Sequence, residues 1–63
     1  MKVAEVIRLL EREGWETCRV RGSHRQLKHS DRPGKVTVAG KPRDTLHPKT
    51  LASILRQAGL KQR

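Results

Sequence analysis

WETCRVRGSHRQLKH, residues 15–29, is the stretch that determines the fold of this 63-residue chain. Polar and apolar residues alternate on both sides of Gly22-Ser23, and a Gly-Ser pair is typical of a tight turn. We therefore predict a strand over residues 15–21, a second strand over residues 24–29, and a hairpin that joins them.

The same alternation assigns the side chains of the hairpin to two faces of a sheet. A shift of the register by one residue would exchange the two faces. One predicted face carries Glu16, Cys18, Val20, Arg25, Leu27 and His29; the other carries Trp15, Thr17, Arg19, Arg21, His24, Gln26 and Lys28. Trp15 is large and apolar, so a place in the core behind the first helix suits it better than stacking on a base.

A third strand follows the hairpin. Residues 31–34 (Asp-Arg-Pro-Gly) have strong turn chemistry, and residues 35–39 carry Val36 and Val38 on one face. The intervals between the predicted strands are short, so the three strands should form an antiparallel meander.

Helices are predicted on both sides of the strands. Residues 2–13 form an amphipathic helix that ends at Gly14, and a second helix begins at Pro48 and ends at Gly59. The segment between the third strand and Pro48 is irregular and polar. The apolar stripes, spaced three and four residues apart, are Val3, Val6, Ile7 and Leu10 in the first helix and Leu51, Ile54, Leu55 and Ala58 in the second.

The predicted order is therefore α-β-β-β-α, an α+β fold in a single domain over residues 1–63. Both helices must bury their stripes, and one face of the three-stranded antiparallel sheet is the apolar surface available to them. The predicted core comprises Val3, Val6, Ile7, Leu10, Cys18, Val20, Leu27, Val36, Val38, Leu51, Ile54 and Leu55. The other face stays open and carries Arg19, Arg21, His24, Gln26, Lys28, Lys35 and Thr37.

Charge is the strongest signal in the composition. Fifteen Lys and Arg residues stand against six Asp and Glu residues, which gives a formal net charge of +9. Such a field attracts nucleic acid, an anionic membrane surface or an acidic protein, and the small size of the chain favours nucleic acid among these. A chain this short has no room for a deep pocket, so a shallow site for a polymeric ligand is expected.

Cysteine content and hydropathy indicate the compartment. Cys18 is the only cysteine, which excludes an internal disulfide and suggests a reducing environment. No apolar run approaches the roughly 20 residues of a membrane span. We therefore expect a cytoplasmic protein that makes no contact with membranes.

The segment from Arg19 to His24 carries the candidate chemistry. Arg19 and Arg21 share a face, Gly22-Ser23 is a turn, and His24 opens the next strand. Histidine can accept and release a proton near neutral pH, and arginines can hold a phosphate and stabilise its developing charge. These groups suit RNA cleavage by the substrate's own 2′-hydroxyl, although a histidine near a turn is more often structural or solvated.

The sequence resembles the HicA family of toxin–antitoxin systems. The resemblance runs from Val6 to Leu60 and is carried by Gly14-Trp15, Arg21-Gly22-Ser23-His24, Val36-Thr37-Val38 and the segment from Thr50 to Leu60. It implies a fold like that of double-stranded-RNA-binding domains. It also implies a metal-independent endoribonuclease that needs no cofactor, cuts messenger RNA, is neutralised by a HicB-type antitoxin and meets DNA only through that antitoxin.

The resemblance assigns the catalytic role to His24, the histidine of the Gly-Ser-His element. We expect Arg19, Arg21, Ser23, Lys28 and Lys41 to bind RNA. Many family members have a second histidine after the third strand, at a position that Lys41 occupies here. Lysine can hold a phosphate but is a poor proton shuttle near neutral pH unless it is desolvated, so the second proton-transfer group is left open.

The remaining polar candidates have simpler explanations. His29 is expected to be solvated, and His47 is expected to cap the second helix or to lie on the surface. Cys18 is expected to be a small buried residue, and its spacing from the histidines does not fit a zinc site. Arg8, Arg12, Lys49 and Ser53 lie on helices, where such residues usually keep a helix soluble. In RNA-binding relatives of this fold, however, the first helix and the start of the second are surfaces presented to the A-form minor groove.

Three functions therefore compete at this point. The first is a ribonuclease that uses His24. The second is a small RNA-binding domain without chemistry, in which His24 only contacts ribose or phosphate. The third is a protein-interaction subunit whose positive charge serves an acidic partner.

Overall fold

The computed structural model describes residues 1–60 and confirms the α-β-β-β-α order. The elements are α1 (Val3–Arg12), β1 (Trp15–Arg21), β2 (His24–His29), β3 (Arg32–Ala39) and α2 (Pro48–Gln57). The tail at 61–63, expected from the sequence to fray, lies outside the described residues.

The three strands form one antiparallel sheet in the order β1-β2-β3. Arg21 pairs with His24, so Gly22 and Ser23 alone form the hairpin loop. Gly22 has φ +60°, which matches the first central position of a type II′ turn, a position that favours glycine. This turn sets His24 directly opposite Arg21.

The strict alternation predicted for residues 15–21 is interrupted in β1 by a β-bulge. Thr17 pairs with Leu27 but Arg19 pairs with Gln26, so Cys18 is the extra residue without a partner. The prediction that Cys18 is buried is therefore wrong, because its side chain is exposed. The bulge also lets Trp15 face the core while Arg19 keeps its predicted place on the open face.

The prediction that Val20 belongs to the core is wrong as well. Its pairing with Arg25 turns it toward the helices, yet 57% of its surface is exposed. Val20 lies near the end of an edge strand, beside a cavity that separates it from α1. The helices do not cover this corner of the sheet.

The third strand begins earlier than predicted. His29 pairs with Arg32, so the β2–β3 turn is Ser30-Asp31 and not the predicted loop at 31–34. Two residues, Pro33 and Gly34, form an irregularity inside β3. Proline has no N–H to donate and is tolerated here because β3 lies at the edge of the sheet.

Both helices pack on one face of the sheet, as predicted. Trp15 is 2% exposed and belongs to the core, as do Leu46 and Ala58, two residues that the predicted core did not include. Leu51 is only partly buried against the cluster. The buried apolar residues are Val3, Val6, Ile7, Leu10, Trp15, Leu27, Val36, Val38, Leu46, Ile54, Leu55 and Ala58.

The segment before α2 is not a free loop, because it hydrogen-bonds to the start of α1. The amide of Val3 donates to the carbonyl of Asp44 at 2.9 Å, and the amide of Leu46 donates to the carbonyl of Met1 at 2.9 Å. These contacts satisfy an amide that a helix start leaves without a partner. They also position Leu46 in the core and hold the 40–46 segment near the β1–β2 turn.

α2 ends just before Gly59, where the sequence predicted the end of the second helix. The amide of Gly59 donates to the carbonyl of Arg56 at 3.0 Å, and that of Leu60 donates to the carbonyl of Leu55 at 2.8 Å. This pair of bonds is a Schellman motif, which brings the residue after the glycine back onto the helix. Leu60 accordingly packs against the core.

Candidate functional site

The open face of the sheet carries a shallow cleft, here called the cationic cleft, with a volume of about 340 Å³. Arg21 lies opposite His24 in the ladder, and Gln26 lies between Arg19 and Thr37. No carboxylate lines the cleft within the described residues. The lining residues are Arg19, Arg21, His24, Gln26 and Thr37.

His24 is available to a ligand in this cleft. It is exposed, and no group among residues 1–60 hydrogen-bonds to its ring. Both ring nitrogens can therefore contact substrate, and the neighbouring Arg21 offers a planar cation suited to a phosphate oxygen pair. The arrangement combines a group that exchanges protons with groups that stabilise a charged phosphorus centre.

His24 also borders a second cavity, here called the notch, on the other side of the β1–β2 hairpin. Its volume is about 230 Å³ and its walls are mainly apolar. The notch is lined by Val3, Ile7, Val20, Gly22, Ser23, His24, Arg25, Gly40, Lys41 and Pro42.

Backbone hydrogen bonds place Lys41 at the rim of the notch. The amide of Gly40 donates to the carbonyl of Ser23 at 2.9 Å, and the amide of Lys41 donates to the Asp44 carboxylate at 3.0 Å. Gly40 has φ +115°, and a Cβ there would meet Val3 at 3.2 Å, so only glycine lets the chain turn at this point. Lys41 and Ser23 thus share a cavity with His24.

Four of the five predicted RNA-binding residues divide between the two cavities. Arg19 and Arg21 line the cationic cleft, and Ser23 and Lys41 line the notch. Lys28 lies on the same open face but outside both cavities, opposite Glu16 and Lys35. It is four residues from His24 along β2, which is about 13 Å in a strand.

His29 has a structural role and is not the solvated residue expected from the sequence. It is half-buried, and its Nδ1 accepts from the Asp31 amide at 2.9 Å, so the neutral ring carries its proton on Nε2. Nε2 lies 2.9 Å from the carbonyl of Glu13, and the ring meets Trp15 edge-on at a centroid distance of 5.3 Å. His29 therefore ties the end of α1 to the β2–β3 turn.

His47 caps α2, which is one of its two expected roles. Its Nδ1 accepts from the amide of Lys49 at 3.2 Å, and Pro48 follows it at the first helical position. Within residues 1–60 no three His, Cys, Asp or Glu side chains gather where they could hold a metal ion.

Several residues of the site were missing from the sequence-based assignment. Gln26 and Thr37 were placed on the open face by alternation but were not assigned to a site. Gly40 and Pro42 carried no signal, because a tertiary contact alone brings them to the hairpin.

None of the helices in the part of the chain that the structure describes is long and apolar enough to cross a bilayer.

Comparison with known proteins identifies the family. A search of curated proteins found no significant match. The family described as the HicA toxin of bacterial toxin–antitoxin systems matches residues 3–60. This match agrees with the resemblance carried by the Gly-Ser-His element and the last helix. Since it spans almost the whole of the 63 residues, the chain belongs to the HicA toxin family.

Proposed function

We propose that this toxin is an endoribonuclease that cuts messenger RNA without a metal ion and uses His24 for proton transfer. The single observation that carries the proposal is the exposed, unpartnered ring of His24 at the edge of the cationic cleft, among the residues that the structure describes. The cleft has the chemistry for one phosphate of a single strand, and its shallow shape suits a polymer.

The proposed reaction needs no atom beyond those of the RNA and the protein. The 2′-hydroxyl loses its proton and attacks the neighbouring phosphorus, the bond from phosphorus to the 5′-oxygen breaks, and that oxygen leaves with a proton. The products are a 2′,3′-cyclic phosphate and a 5′-hydroxyl. His24 exchanges a proton with the 2′-hydroxyl or the leaving oxygen, and Arg19 and Arg21 stabilise the charge on the phosphate oxygens.

The experiment that tests this function is cleavage of naked RNA by purified protein in EDTA. We expect products ending in a 2′,3′-cyclic phosphate, and no cleavage of the same oligonucleotide carrying a 2′-deoxy group at the cut. If the folded protein binds RNA but leaves it intact, the enzyme proposal fails and a non-catalytic RNA-binding domain takes its place.

RNA binding should depend steeply on salt, because phosphate contacts release counterions. About four contacts on a single strand would give a log–log slope of roughly −3, at about −0.7 per phosphate. The Arg19→Gln/Arg21→Gln variant should flatten the slope by about 1.4. The measurement is fluorescence anisotropy between low and moderate salt.

A control with the same loss of charge separates this site from general attraction. Arg8 and Arg12 lie exposed on α1, which packs on the other face of the sheet. The Arg8→Gln/Arg12→Gln variant should keep the wild-type slope. Equal slopes in the two double variants would show that the open face is not where the phosphates bind.

We further propose that the antitoxin partner is of the HicB type and covers His24. Acidic side chains over Arg19 and Arg21 would speed encounter and fix orientation. Antitoxin and RNA should then compete for one surface. The measurement is displacement of RNA from a His24→Gln toxin, and a stable ternary complex would instead indicate inhibition from a distance.

A further inference from the structure

The notch beside His24 is an apolar feature of the surface that the core does not explain. Val20 and Met1 are the exposed large hydrophobic residues among residues 1–60, and Val20 lines the notch. Val3, Ile7 and Pro42 complete its apolar walls. Isolated apolar side chains are common on surfaces, but this one borders a cavity that also contains the proposed catalytic histidine.

The size of the notch limits its occupant. A volume of about 230 Å³ is smaller than the roughly 300–1,000 Å³ of pockets that hold drug-sized ligands. One planar heterocycle fits such a space better than a larger molecule. Lys41, Arg25 and His24 at its edge favour an occupant attached to phosphate over an uncharged apolar chain.

Base recognition in this protein must proceed without an exposed Phe, Trp or Tyr ring. Proteins usually stack the unpaired bases of single-stranded RNA on aromatic rings or on arginine. The only Phe, Trp or Tyr residue of the chain is Trp15, and it is 2% exposed. A base that leaves the strand near His24 can therefore pack on aliphatic side chains, on a guanidinium group or on the imidazole ring of His24, and all three line the notch.

The two cavities meet at His24. The cationic cleft on one side has the chemistry for a phosphate, and the notch on the other side has the chemistry for a base. A nucleotide carries these two groups on one sugar. We propose that the notch binds the nucleobase next to the scissile phosphate, with Val20 as its main apolar contact. The inference rests on the proposed ribonuclease function and adds to it the subsite that positions the cut.

The test is a cycle of two changes, one in the RNA and one in the protein. The substrate is an oligonucleotide that the wild-type toxin cuts, and its partner lacks a single base on one side of the cut. Val20→Thr keeps the shape of the side chain but makes it polar. Thr17→Val is the matched control, since Thr17 is exposed on the same face of β1 and lines neither cavity.

Removal of the base on one side of the cut should lower kcat/KM by about fivefold or more, the effect of losing one or two buried CH₂ contacts. Val20→Thr should cause a similar loss on the intact RNA and no further loss on the abasic RNA. Thr17→Val should behave as wild type on both. Binding of the same two RNAs to the His24→Gln toxin should show the same pattern in Kd, which gives a readout that does not need cleavage.

The failures of the two proposals are distinguishable. Absence of cleavage by the wild type would overturn the ribonuclease, while the same Kd cycle, run with an oligonucleotide that the protein binds and with its single-abasic derivatives, would still decide whether a base occupies the notch. Independent effects of Val20→Thr and base removal would place the base elsewhere. Weaker antitoxin binding by Val20→Thr, with RNA binding unchanged, would assign the notch to the partner protein and overturn the inference.

Discussion

Replacement of His24 by glutamine should lower the rate of RNA cleavage by about 10²- to 10⁴-fold, the usual contribution of a general acid or base. Glutamine can still hydrogen-bond to a ligand but cannot exchange a proton near neutral pH. RNA binding should change little, because Arg19 and Arg21 remain. Single-turnover cleavage at saturating toxin measures the effect on the chemical step.

Stability should be almost unaffected by this change. His24 is exposed and its ring accepts or donates no hydrogen bond within residues 1–60. His47→Asn is the control for both measurements and should match the wild type in cleavage rate and stability. Asparagine is also a good helix cap, and His47 lines neither cavity beside His24. Full activity in a folded His24→Gln protein would remove the central claim about the mechanism.

Replacement of Trp15 by alanine should destabilise the protein by about 3–5 kcal/mol, the range for loss of a large aromatic side chain from a core. Trp15 is 2% exposed and contacts the ring of His29, which links α1 to the β2–β3 turn. A domain of 63 residues is expected to have a total stability of only about 3–9 kcal/mol. The variant should therefore lose a third or more of the total stability, and it should be largely unfolded at 37 °C if the wild type lies at the low end of this range.

Urea unfolding, monitored by far-ultraviolet circular dichroism, measures this effect. Fluorescence is unsuitable because the change removes the only tryptophan. Trp15→Phe keeps an aromatic ring beside His29 and should cost clearly less than Trp15→Ala. A free energy of unfolding within about 0.5 kcal/mol of wild type, as for a neutral surface change, would contradict the structural role of Trp15.

The helices could be predicted from the sequence because their signals are local. The stripe from Val3 to Leu10 has helical spacing, Pro48 suits a first turn, and the Schellman motif at Gly59 needs only neighbouring residues. The hairpin was equally local, since a glycine at the first turn position sets Arg21 opposite His24. The position of His24 at the start of β2 therefore followed from local sequence signals, whereas its proposed catalytic role came from the resemblance to the HicA family.

The bulge at Cys18 depends on the balance between the free energy gained by burying Trp15 and the free energy lost when the strand ladder is disrupted. Strict alternation would put Trp15 on the open face with Arg19, in water. A tryptophan buries about 150–250 Å², worth roughly 4–6 kcal/mol, whereas a disrupted ladder costs about 1 kcal/mol per lost hydrogen bond. Burial of the tryptophan therefore decides the register of β1. The sequence pattern does not indicate which residue is left unpaired in the bulge.

The order of elements, the open basic face and the place of His24 at the start of β2 all follow from the amino-acid pattern. What lies around that histidine depends instead on tertiary contacts. Pairing of the 42–46 segment with the start of α1 brings Lys41 and Pro42 beside the β1–β2 turn. These contacts join segments that are far apart along the chain, and hydrogen bonds between distant backbone groups leave no periodic trace in side-chain chemistry.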